Sequence, residues 1–121
     1  MILVDSSVWI DHLRKGDATL ARMLDSERVL AHPFGVRELA LGSLRQRKLI
    51  LAALENLPQA TVASDSEVLR LIDQEALHGQ GIGYVDAHLL ASARLTANGS
   101  LWTRDRRLRA IADRLGLATA F

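Results

Sequence analysis

Short apolar runs alternate with helical stripes along this chain. "ILV" at residues 2–4 is short and unbroken, the mark of a buried strand, and a helical pattern opens behind it at Ser6 or Ser7. "RVLAH" at 28–32 predicts a second strand. Pro33 and Gly35 separate it from residues 36–57, an apolar-rich stretch that predicts two helices ending before Pro58. "ATVA" at 60–63 predicts a third strand. Ser64-Asp65-Ser66-Glu67 then carries the spacing of a capping box ahead of Val68, Leu69, Leu71 and Ile72 at helical intervals. Glycines at 79, 81 and 83 break the chain before a helix over 84–97, which Asn98-Gly99 stops. A strand at 100–103, a helix at 105–116 and a closing strand in "LATAF" complete the pattern. Strands alternating with helices predict the α/β class: a three-layer α/β/α sandwich around a parallel sheet of four to five strands.

Length and composition narrow this picture. At 121 residues the chain fits a single domain, 1–121, and its 49% apolar content with only two prolines excludes a disordered chain. Without cysteine there are no disulfides and no thiolate metal ligands. The opening "MILVDSSVWID" lacks a basic leader region, and Asp5 interrupts its apolar run, so no signal peptide is expected. The longest uncharged stretch, Ala76 to Val85, is ten residues and holds three glycines, well short of the roughly 20 apolar residues of a membrane span. These features predict a soluble, cytoplasmic protein with no membrane association.

Charge matters through its distribution. The net charge is only +1, yet thirteen of the fifteen basic residues are Arg, and five of them (Arg104, Arg106, Arg107, Arg109 and Arg114) surround Asp105. Ligands of open α/β sheets bind beyond the carboxyl ends of the strands. Asp5 follows the first strand directly, Glu38 lies in the first turns of the helix after the second, and Asp105 follows strand 100–103. The helix holding Asp86 must run antiparallel to that last strand, which returns Asp86 to the same edge. Each acid also suits a local role, Asp5 and Asp105 as helix caps, Glu38 and Asp86 as first-turn acids favoured by the helix dipole. Capping does not require all four to share one edge, however, and four like charges in one cleft repel unless protonated or bound to a cation. Oxygen-only donors suit a hard ion, Mg²⁺ or Mn²⁺. Arginines beside such a metal can hold a polyanion whose phosphate reaches it.

The segments "ILVDSSVWID", "HPFGVRELALG", "GIGYVDAHLLASA" and "LWTRDRRL" resemble, in order, the four acidic motifs of the PIN domain, and in particular of the short VapC-type toxins of VapBC toxin-antitoxin pairs. The resemblance spans nearly the whole chain, with residues 44–78 generic. It implies that Asp5, Glu38, Asp86 and Asp105 are the catalytic, metal-binding acids, and that Ser7 and Thr103 are supporting hydroxyls beside them. It also implies an Mg²⁺- or Mn²⁺-dependent endoribonuclease acting on structured or loop RNA such as tRNA or rRNA. A homodimer and a cognate VapB-type antitoxin are the partners to expect. Arg104, Arg106 and Arg107 are the expected RNA contacts, with a solvated helix face as the plainer alternative.

Other polar residues suggest less. His12, His32, His78 and His88 share no ligand spacing and are expected at the surface or the core edge, and Trp9 and Trp102 sit among aliphatic residues as core side chains do. The leucine-rich stretch 36–57 exceeds what one helix face buries, and the surplus offers a groove for a partner helix. Two rival functions are a haloacid-dehalogenase-like phosphatase with Asp5 as nucleophile, and a non-catalytic RNA-binding module. The first usually carries a second Asp two residues on, where this chain has Ser7.

Overall fold

The computed structural model describes residues 1–121. Three parallel strands form the regular sheet: β1 (Ile2–Val4) in the centre, β2 (Val29–Leu30) on one side and β3 (Ser100–Trp102) on the other. Single parallel bridges extend it at both edges, Ala31 to Gln59 and Leu101 to Ala118. The two outer strands expected from the sequence are therefore present only as one-residue pairings, and the one expected over 60–63 sits earlier, at Gln59. Backbone hydrogen bonds hold both: Ala31 N–H donates to Pro58 O at 2.9 Å, and Leu101 N–H to Leu117 O at 2.7 Å.

Seven helices connect these strands: α1 (Ser6–Lys15), α2 (Ala18–Asp25), α3 (Pro33–Ala40), α4 (Arg47–Glu55), α5 (Asp65–Gln74), α6 (Tyr84–Leu95) and α7 (Arg106–Arg114). Helix α3 starts earlier than its apolar periodicity suggested. Pro33 fills its first turn, where the missing N–H costs nothing, and His32 caps it by accepting the Phe34 N–H on Nδ1 at 3.0 Å. The Ser64–Glu67 capping box of α5 is complete. At the end of α6, a Cβ on Gly99 would stand 2.5 Å from Ala93 O, so only glycine lets the chain turn there into β3.

Alternation along the strands divides the core into two layers. Leu3, Leu30 and Leu101 face α5, α6 and α7, where Leu71, Leu89, Leu90 and Leu108 fill the space. Ile2, Val4, Val29 and Trp102 face the opposite way, toward Val8, Trp9 and Leu20 and the helices α1 to α4. The three-layer α/β/α architecture is thus present, with both tryptophans buried. No helix is long and apolar enough to cross a membrane.

Candidate active site

Asp5 is the first residue beyond β1, and it is 5% exposed. A carboxylate buried so deeply needs donors, and two hydroxyls supply them. Ser7 Oγ donates to Asp5 Oδ2 at 2.7 Å and Thr103 Oγ1 to the same oxygen at 2.8 Å. Backbone N–H groups fix the direction of those hydroxyls: Arg104 N–H donates to Ser7 Oγ at 3.0 Å, and Asp105 N–H to Thr103 Oγ1 at 3.1 Å. Each hydroxyl has its acceptor side occupied, so its single proton points to Asp5. Oδ1 of Asp5 takes part in no such bond and is left for another partner.

The other acids reach this edge from both helical layers. Asp86 stands in the first turn of α6, where its Oδ2 accepts the Gly83 N–H at 2.9 Å. Asp105 caps α7, accepting the N–H groups of Arg107 at 2.9 Å and Leu108 at 3.0 Å. Glu38 lies in the second turn of α3, exposed and without a hydrogen-bond partner. Their electrostatics tie them together. Partial desolvation by its surroundings, and then the charges on Asp5 and Asp86, push the Glu38 carboxyl above its ordinary range. Burial raises Asp86 as well; the Gly83 N–H opposes this, and the charges on Asp5 and Asp105 add to it. Like charges therefore converge at the carboxyl edge of the sheet at a cost in repulsion.

No three Asp, Glu or His side chains stand close enough to enclose an ion by themselves. A hard ion such as Mg²⁺ keeps several waters and needs no closed protein cage, since waters and substrate oxygens complete its shell. The donor set also fits: carboxylates only, each with at least one oxygen outside these hydrogen bonds, repelling one another in the metal-free protein.

The arginines divide into groups. Arg104 spends its guanidinium on two carboxylates, Nη1 on Asp11 Oδ2 at 2.8 Å and Nη2 on Asp17. Arg109 pairs with Asp113 at 3.4 Å, and Arg114 donates to Glu75 O at 3.0 Å. Arg106 and Arg107 are exposed without an acidic partner, and Arg107 lies across Gly81, where a Cβ would come within 2.6 Å of its Nη1. Sequence reasoning passed over Asp11 and Asp17. Asp17 had a signal, since it follows Gly16 as an N-cap does and accepts the Leu20 N–H at 2.9 Å.

Two histidines are more deeply buried than expected. His32 and His88 are 2% and 1% exposed. His32 accepts a backbone N–H on Nδ1, so its Nε2 carries the proton and faces Ser92 Oγ at 3.0 Å. Burial, then the neighbouring His88 and Arg37, lower its pKa to about 4. His88 packs edge-on against Phe34 and Tyr84, with ring centroids 4.7 and 4.8 Å away. Its Nε2 lies 3.5 Å from Asp65 Oδ1, and neither ring nitrogen makes a hydrogen bond. His12 and His78 are not buried.

Residues 2–114 match the family model of the PIN domain, and the chain belongs to that family. Ribonuclease VapC32 of Mycobacterium tuberculosis, in strains CDC 1551 and H37Rv alike, is 49% identical over 120 residues, which cover 99% of this chain and 97% of the relative. That relative carries the VapC name, in agreement with the motif resemblance. Among solved structures, FitAcB from Neisseria gonorrhoeae superposes with a TM-score of 0.63 at 24% identity, covering 93% of this chain and 94% of the other. PAE2754 from Pyrobaculum aerophilum gives 0.62 at 19% identity, covering 92% and 78%. At those identities the likeness is one of fold.

Proposed function

We propose that this protein is a divalent-metal-dependent endoribonuclease, the toxin of a VapBC-type pair, using Asp5, Glu38, Asp86 and Asp105 to hold Mg²⁺ or Mn²⁺ in the cytoplasm. One observation carries the reading: Asp5 is buried with two hydroxyls on Oδ2 and a free Oδ1, and it faces Glu38 and Asp86, whose carboxyls are raised by desolvation first and by the neighbouring carboxylate charges second. A bound ion would offset that repulsion, lower the pKa of an attacking water and stabilise charge on the phosphate of a phosphodiester bond. Ser7 and Thr103 orient Asp5 through their hydrogen bonds to Oδ2. Gly83 N–H fixes Asp86, and α7 fixes Asp105 through its own first-turn N–H groups. Glu38, free of hydrogen bonds, completes the acid set or orients the water. Arg106 and Arg107 supply positive charge for the RNA backbone beside Asp105.

The full-length kinship to a relative named as a ribonuclease favours this reading over the phosphatase and over a module that binds RNA without cutting it. For the antitoxin, the surface offers a groove of about 660 Å³ between α1, α3 and α4, floored by Leu13, Leu39, Leu44 and Ile50 and reaching Glu38. Its apolar floor suits a helix of a VapB-type partner. A homodimer fits the same family pattern. Asp5→Asn keeps the shape of the side chain and removes its charge, so cleavage of total RNA in Mn²⁺ should fall at least about 100-fold, more than an outer-shell partner of a metal site typically costs. Cleavage at the parent rate would overturn the assignment.

A further inference from the structure

We infer that Arg104 is a positioning residue for Asp5, acting through Ser7, and not a phosphate contact; the inference rests on the metal-binding reading of the four acids. Its backbone N–H occupies the acceptor side of Ser7 Oγ at 3.0 Å, which leaves the Ser7 proton for Asp5 Oδ2 rather than for Thr103 Oγ1, 3.4 Å away. Its side chain anchors that backbone. One guanidinium nitrogen binds Asp11 on α1, the other binds Asp17 at the start of α2, and the group lies over the Trp102 ring, 5.9 Å from its centroid. Asp17 is itself fixed, because its carboxylate caps α2 through the Leu20 N–H and its own N–H donates to His12 Nδ1 at 3.0 Å. Three chain segments thus meet at one guanidinium: the β3–α7 loop, the middle of α1 and the α1–α2 elbow. A planar fork can serve two carboxylates in this way, whereas a lysine ammonium acts as a point charge. Two of its guanidinium nitrogens are already committed to carboxylates, unlike those of Arg106 and Arg107, which have no acidic partner.

Charge and positioning predict opposite signs, which makes the inference testable. Removing a cation beside an acidic site raises its attraction for Mn²⁺ if only the field matters. Removing a clamp that orients Asp5 lowers it. Isothermal titration with Mn²⁺ alone should show Arg104→Met and Arg104→Lys each binding about 10- to 100-fold more weakly than the parent, the range for groups that orient metal ligands. The salt dependence of binding to a mixed-sequence single-stranded RNA should keep the parent slope. Arg104→Lys retains charge and chain length, so it keeps the test open if Arg104→Met does not fold. Parent-like or tighter Mn²⁺ binding by Arg104→Lys would overturn the inference, and so would a salt slope lower by about 1 in Arg104→Met, the mark of a lost phosphate contact. Asp86→Asn is the control. If it too leaves Mn²⁺ affinity unchanged, the metal reading itself fails; if it abolishes binding while the Arg104 variants behave as the parent, only the positioning of Asp5 is wrong.

Discussion

Helices α6 and α4 lie on opposite faces of the same sheet and are built to different standards. In α6 every residue from Ala87 to Ala93 is buried, whereas α4 buries only Leu54 and leaves Leu49 66% exposed. The acids on the two sides differ in the same sense. Asp86 and Asp105, on the α6 and α7 side, are fixed by backbone N–H groups, while Glu38, on the α3 and α4 side, has no partner and borders the open groove. One wall holds its acids rigidly, and the other leaves its acid and its surface free to meet something else.

The contrast predicts a graded set of outcomes. Leu90, fully buried on α6, should cost about 2–5 kcal/mol of unfolding free energy when changed to Ala, measured by urea denaturation. The buried His32 on the other side makes stability depend on pH. Above 6.5 it is neutral whether the chain is folded or not, and its contribution is fully present. As pH falls from 6.5 toward about 4, the unfolded chain takes up a proton that the folded chain refuses, and stability declines by up to about 3 kcal/mol. A His32→Asn variant, which can still cap α3, should lack that decline in denaturation curves compared at pH 7 and 4.5. In RNA cleavage, Asp86→Asn should lose at least about 100-fold and Glu38→Gln nearer 10-fold; equal losses would erase the distinction between the fixed and the free acid. The same Asp86→Asn change relieves repulsion and keeps the acceptor for Gly83 N–H, so the metal-free variant should melt above the parent in scanning calorimetry. The smallest effect belongs to Leu49→Ala, within about 0.5 kcal/mol of the parent.

Much of this arrangement was legible in the sequence because it rests on local rules. The capping box at Ser64, Asp5 directly after the first strand, Asp105 at the start of the helix after β3 and the turn at Asn98-Gly99 are short-range signals, and chain direction alone brought Asp86 back to the edge. Helix α2 and the early start of α3 were missed: Pro33 read as a break when it was a first-turn residue. The outer strands shrank to single bridges, at Gln59 and Ala118, although Ala60, Ala63 and Leu117 still pack into the core. What could not be read was side-chain pairing across distant segments. Nothing local in the sequence marks Ser92 as the partner of His32, or Asp11 and Asp17 as the partners of Arg104, and both pairings depend on packing between layers.

The most direct test is a crystal of the protein grown with Mn²⁺ and measured at the manganese absorption edge. An anomalous peak within coordination distance of Asp5 Oδ1 and of the Asp86 carboxylate is the predicted result. A protein that cleaves RNA in Mn²⁺ but shows no peak at these carboxylates, or whose only peak lies away from the carboxyl edge of the sheet, would contradict the account.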